Sequence, residues 1–200
     1  MARRLRTFIS TGPDLVTERE VVGQAIAGLP ISLGWVIKYT PERQQPWEMV
    51  EAAVEACDFY ALLLGADISA PVGSELYVAR GAGKRISAFL KEVPRTPAAQ
   101  VFMKQSPVQW RHFRSEEELG SLIKKAIVDQ ILQLPEMYGT TVADWEALSI
   151  LSHELGKAAL EHRSGDTPLH GGAGGNAVIV APGRDLPSEG VPIEKPDASS

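Results

Sequence analysis

The stretch FYALLLGADISAPVGSELYVARGAGKRISAFLKE, residues 59–92, decides the fold. Its first six residues are apolar throughout, without the alternation of a strand that has one wet face. A strand covered on both sides reads that way, as in a parallel sheet held between helices. Gly, Ala, Asp, Ser and Pro then crowd residues 65–71, so the strand empties into a loop. Beyond it the spacing predicts a helix over 73–83 and a further strand, RISAFLKE, over 85–92. A strand, a helix and a strand so closely joined imply a parallel crossover.

The same alternation extends outward. LRTFIST, 5–11, reads as a strand ending in small hydroxyl residues. Asp14 or Thr17 can cap the helix that follows, and Thr17 with Glu20 has capping-box spacing. Val21, Val22, Ala25, Ile26 and Leu29 then recur at helical intervals. LGWVIKYT, 33–40, is the next strand. Pro46 suits the first turn of a helix with Trp47, Val50, Val54 and Cys57 on one face. TPAAQVFMKQ is either a short helix or an irregular excursion, and VQWRHF, 108–113, a fifth strand. The expected class is α/β: a five-stranded parallel sheet with helices on both faces, flavodoxin-like (Rossmannoid) order being the commonest for five strands.

Ser115 and Glu118 form a second capping-box pair, opening a long helix with Leu119, Leu122, Ile123, Ala126, Ile127 and Leu134 to one side. A last helix is expected over about 142–162, with Trp145, Leu148, Ser152, Leu155 and Ala159 inward. After Gly165 Gly and Pro take over, and only NAVIVA, 176–181, is apolar. Such a segment buries too little to offset the entropy of ordering. The organisation is therefore an α/β domain over 1–139, a helical extension over 140–163 and a flexible tail over 164–200. Gly171 to Gly175 lacks the strand, helix and Lys of a phosphate loop.

Composition narrows the function. Hydrophobic residues are 44% of 200, enough for a sizeable core, and a net charge of −5 argues against a broad nucleic-acid surface. The single cysteine, Cys57, excludes an internal disulfide and reads as a buried small hydrophobe. His112, His153, His162 and His170 share no ligand spacing, so neither a metal nor a resident cofactor is expected. The basic start MARRLRTFIS lacks an apolar signal region and no stretch reaches membrane-span length, making the cytoplasm the expected location.

In an open parallel sheet, ligands lie beyond the carboxyl ends of the strands. Ser10 and Thr11 end the first strand here, and Gly65 and Asp67 follow the third. Gly65 and Gly73 would let backbone approach a ligand closely. The helix start at 73–75 would offer free N–H groups. Glu75, placed in that first turn, either complements the helix dipole or faces an open, nucleotide-sized cleft beside residues 10 and 67. Asp67 is otherwise a turn residue, and Ser74 a cap. Tyr39, Arg43 and Trp47 surround the second strand's exit, as nucleotide contacts or as surface packing.

Phe8-Ile9-Ser10-Thr11, Asp14-Leu15 and Glu18-Arg19 resemble the opening of a TIR-like bacterial domain family. ACDFYALLLGADIS…GSELYVARGAGKRISAFLK is similar to that family's later strand, loop and helix. It also resembles the nucleoside 2-deoxyribosyltransferases, through Gly73-Ser74, Glu75 to Ala79 and Gly83-Lys84. The likeness spans roughly residues 5–134. Ser74 stands directly beside Glu75, where the related patterns put the hydroxyl two or three positions earlier; Ser69 is the substitute. Arg85 replaces the usual proline, and Tyr77-Val78 the usual Gly-Tyr.

The resemblance implies N-glycosidic bond cleavage with Glu75 acting at the ribose anomeric carbon. Asp67, Ser10, Thr11, Gly65, Ser69 and Ser74 would bind substrate. Three functions follow. One is a TIR-like enzyme on NAD or a related nucleotide, an effector of defence or signalling that self-associates or answers to a partner sensor. A non-catalytic TIR-like interaction module is the second, and a nucleoside 2-deoxyribosyltransferase the third.

Overall fold

The computed structural model describes residues 4–41 and 45–165, with side chains to residue 158. The predicted tail begins inside α7, whose last residues are 164 and 165; its remainder with the NAVIVA run, Arg43 and His170 lie outside the described residues, as do the side chains of Ala159 and His162. Strands β1 (Leu5–Thr11), β2 (Trp35–Tyr39), β3 (Phe59–Leu64), β4 (Ile86–Lys91) and β5 (Trp110–Phe113) form one parallel sheet in the order β2-β1-β3-β4-β5. The expected α/β class, parallel pairing and strand order are all present.

β3 is central, and its six residues are all buried. Phe59, Ala61 and Leu63 enter one core cluster, while Tyr60 and Leu62 enter the other. An uninterrupted apolar run is what that position demands. Helices α1 (Val16–Ala27) and α5 (Glu116–Gln133) cover the first face, joined by Leu148 of α7 (Val142–Gly165). Helices α2 (Trp47–Ala56) and α3 (Ala70–Gly81) cover the second, with Phe102 of α4 (Pro97–Gln105) packed beside them. The segment 97–105 is thus helical, and a four-residue turn, α6 (Pro135–Tyr138), precedes α7. Among the described residues no helix is long and apolar enough to cross a membrane.

Several local expectations are corrected. Pro13–Leu15 forms a 3-10 turn, and α1 starts at Val16 with no side-chain cap, so Thr17 and Glu20 make no capping box. Ser115 does cap α5, its Oγ accepting from Glu118 N at 3.2 Å. Leu134 closes α5 half exposed instead of extending the buried stripe, and Trp145 faces outward on α7. α3 begins at Ala70, three residues before the predicted start, because Pro71 is well placed in a first helical turn.

Candidate functional site

The earlier start of α3 changes what Glu75 is. It stands in the second turn, away from the free N–H groups expected at residues 73–75. Val72, Glu75, Leu76 and Ala79 are the buried residues of α3. Their spacing i, i+3, i+4, i+7 is that of a single helical face. A carboxyl group therefore occupies one place in an otherwise apolar stripe pressed onto the sheet.

Two hydroxyls meet it there. Ser10 Oγ donates to Glu75 Oε2 at 2.5 Å, and Thr40 Oγ1 donates to the same oxygen at 2.7 Å. Thr40 is anchored in turn: its backbone N–H donates to Ile9 O, and its Oγ1 accepts from Thr11 N at 3.0 Å. Glu75 Oε1 is buried without a hydrogen-bond partner, and the side chain is wholly enclosed. Burial pushes the carboxyl above its ordinary value of 4.5; the Ser10 and Thr40 hydroxyls and the Arg19 guanidinium pull the other way. A buried carboxyl with one oxygen pinned and the other unengaged can take up a proton or stabilise a nearby cation.

The open cleft foreseen at Glu75 is thus closed in this conformation. Ser10 is brought to the carboxyl, but Asp67 is not. Asp67 is exposed and accepts from Ile68 N at 2.8 Å and Thr96 Oγ1 at 2.7 Å, bonds that hold its carboxyl below the usual range. Thr11 supports Thr40 through its backbone and turns its own Oγ1 to Gly12 O. Gly65 serves packing: a Cβ there would overlap Asp14 Oδ2 and lie 2.9 Å from Leu15 Cδ2. Asp14 Oδ2 accepts from Ala66 N at 2.7 Å, pinning the 3-10 turn to the loop after β3. Ser69 precedes α3 without making a cap bond, and Ser74 is exposed on α3.

Thr40 is the member of the cluster that sequence reasoning missed. Val36, Lys38 and Thr40 share one side of the second strand by simple alternation, and that side faces Ser10. The nearby Tyr39 and Trp47 are each more than a third exposed. A cavity of about 330 Å³ lies between β2 and α2, lined by Val36, Met49, Ala53 and Cys57 among others, and includes no member of the Ser10–Thr40–Glu75 cluster. Among the described residues no three His, Cys, Asp or Glu side chains gather as a metal-ion set.

No family model matches the chain, and no curated protein matches it. A solved structure, the Clostridium botulinum CMP N-glycosidase BcmB, superposes with a TM-score of 0.40 at 18% identity, over 60% of this chain and 98% of that one. So distant a likeness assigns no chemistry, which rests on the chain's own residues.

Proposed function

We propose that the chain is a nucleotide N-glycosidase with Glu75 as its catalytic residue. The observation that carries this reading is a fully buried carboxyl with Oε2 held by two hydroxyls and Oε1 without a partner. A purely structural carboxyl would have both oxygens engaged, because a buried acceptor left unsatisfied costs about 1–3 kcal/mol. Such a cost persists where function uses the group.

In the proposed reaction the C1′–N bond breaks, and the base departs with the bonding pair. Positive charge develops on the ribose C1′ and ring oxygen, and ionised Glu75 stabilises it from one face. Water adds to C1′, and its proton passes to the departing base or to solvent. Ser10 and Thr40 keep the carboxylate aimed through that change. Substrate entry requires the rim above Glu75 to open, and enclosure before entry keeps bulk water from the carboxyl.

Within that reaction class we favour NAD and a TIR-like effector of defence or signalling, on the strength of the motif order from Phe8 to Lys84. Incubation with NAD, NADP, CMP and deoxynucleosides, with chromatography of the products, tests it. Release of a free base by wild type but not by Glu75→Gln is expected; equal turnover by both proteins would remove Glu75 from the chemistry. Base exchange between deoxynucleosides would replace NAD by the deoxyribosyltransferase reading.

A second reading draws on a different observation. Edge strand β2 exposes Trp35, Val36 and Tyr39, and the start of α2 exposes Trp47 and Met49. Unpaired apolar edges invite association, which suits an interaction module. A monomer by light scattering across a wide concentration range would count against self-association through this edge.

A further inference from the structure

Tyr60 lies within β3, where every neighbour in the strand is apolar and buried. Its ring stacks on Phe8, with centroids 5.9 Å apart and planes 2° from parallel. Phenylalanine would pack there equally well, yet the position carries a hydroxyl. That oxygen is buried and makes no hydrogen bond of normal geometry. Phe8 is the register partner of Tyr60 on β1, and Ser10, two residues further along, lies on the same face as its polar neighbour. The charge of Glu75 also acts on it, and Cys57 is the remaining titratable group near it. Tyr60 OH and Glu75 Oε1 are thus two unsatisfied polar atoms around one serine.

We propose that Tyr60 is a positioning residue of the Glu75 site, donating its O–H to Ser10 Oγ so that Ser10 holds Glu75 Oε2 more firmly. Ser10 has one proton to give, and it is committed to Glu75 Oε2 at 2.5 Å. The serine oxygen keeps lone pairs, and the phenol is a donor in need of an acceptor. That bond completes a chain running Tyr60 to Ser10 to Glu75. Each link polarises the next, strengthening the bond that reaches the carboxylate. β3 is a suitable base for such a chain, being central and laddered on both sides to β1 and β4. The inference rests on the glycosidase reading for its catalytic meaning, though not for its geometry.

Tyr60→Phe tests it, because the ring and its stack on Phe8 remain. The readout is the titration of the Glu75 carboxyl, followed by carbon NMR and assigned by the signal lost in Glu75→Gln. The groups facing that carboxyl are the Ser10 and Thr40 hydroxyls and the Arg19 guanidinium, all retained in the variant. Losing the donor leaves the carboxylate less stabilised, so its titration moves to higher pH. The acidic limb of any turnover profile moves with it, and turnover below that limb falls about two- to tenfold. In a Ser10→Ala background, Tyr60→Phe should add nothing further to the shift.

An unmoved titration would overturn the proposal and leave Tyr60 as core. An equal shift in the Ser10→Ala background would overturn the route through Ser10. Loss of folding in Tyr60→Phe would make the hydroxyl a structural prop and overturn it equally. A moved titration in a protein that cleaves no nucleotide would sink the glycosidase reading alone.

Discussion

Two carboxylates near the same rim of the sheet, Glu75 and Asp67, are opposites. Asp67 is exposed, and one of its oxygens accepts from a backbone N–H and a threonine hydroxyl, which ties the loop after β3 to the loop after β4. Glu75 is enclosed, bonded through one oxygen and unsatisfied at the other. The first arrangement lowers the acid's titration and braces a loop; the second raises it and leaves a valence open. Position at the carboxyl ends of the strands does not by itself distinguish a reacting group from a brace. Satisfaction and solvation do.

The largest expected effect separates the two directly. Glu75→Gln should lower nucleotide turnover by about a hundredfold or more, the scale of losing a buried electrostatic stabiliser, whereas Asp67→Asn should leave it almost unchanged. Comparable losses in steady-state assays of both variants would erase the distinction.

Next in size come the two glycines flanking the loop. Gly65→Ala forces a Cβ into Asp14 and Leu15, and should destabilise the fold by about 1–3 kcal/mol. Gly73→Ala meets open space inside a helix and should stabilise it by about 0.5–1 kcal/mol. Denaturant melts of the two variants read the difference, and similar midpoints would return Gly65 to the role of a ligand-facing glycine.

The pH dependence sharpens the contrast through its sign. Glu75's folded value is raised, so between 4.5 and that raised value the folded protein holds more protons than the unfolded chain. Stability therefore declines as pH rises through that window and levels off above it. Glu75→Gln removes this decline and should be the more stable protein at neutral pH by about 1 kcal/mol, or roughly 2–4 °C in melting temperature. A lower melting temperature for Glu75→Gln at neutral pH would mean that the charge is well solvated. Asp67 works in the opposite sense: its folded value is lowered, so its contribution is present above the ordinary carboxylate range and is lost as pH falls through the lowered value. Asp67→Asn should show only a slight loss of stability in neutral melts, the smallest effect of the set.

The sheet was legible because its central strand is apolar without a break, and only a strand covered on both faces needs that. Boundaries were less legible. Residues 69–73 combine Ser, Ala, Pro, Val and Gly, which look like loop until Pro71 is placed in a first helical turn. With the helix starting at Ala70, the burial of Glu75 follows from its spacing to Val72, Leu76 and Ala79. The partner hydroxyl of Thr40 was harder, since its role depends on β2 lying beside β1 in parallel register. Trp145 and Leu134 fit helical stripes by spacing yet face outward, because α7 buries Leu148 against the core while Trp145 stays outside it. Gly65 resembled a residue that lets backbone approach a ligand, but its neighbours Asp14 and Leu15 come from a distant part of the sequence.

The most direct measurement is a crystal structure of Glu75→Gln grown with saturating NAD. The expected result places the ribose C1′ in contact with the residue-75 side-chain atom equivalent to Oε1, with Ser10 and Thr40 still bonded to the other side-chain atom. NAD bound elsewhere, with the residue-75 side chain still sealed between α3 and the sheet, would contradict the assignment.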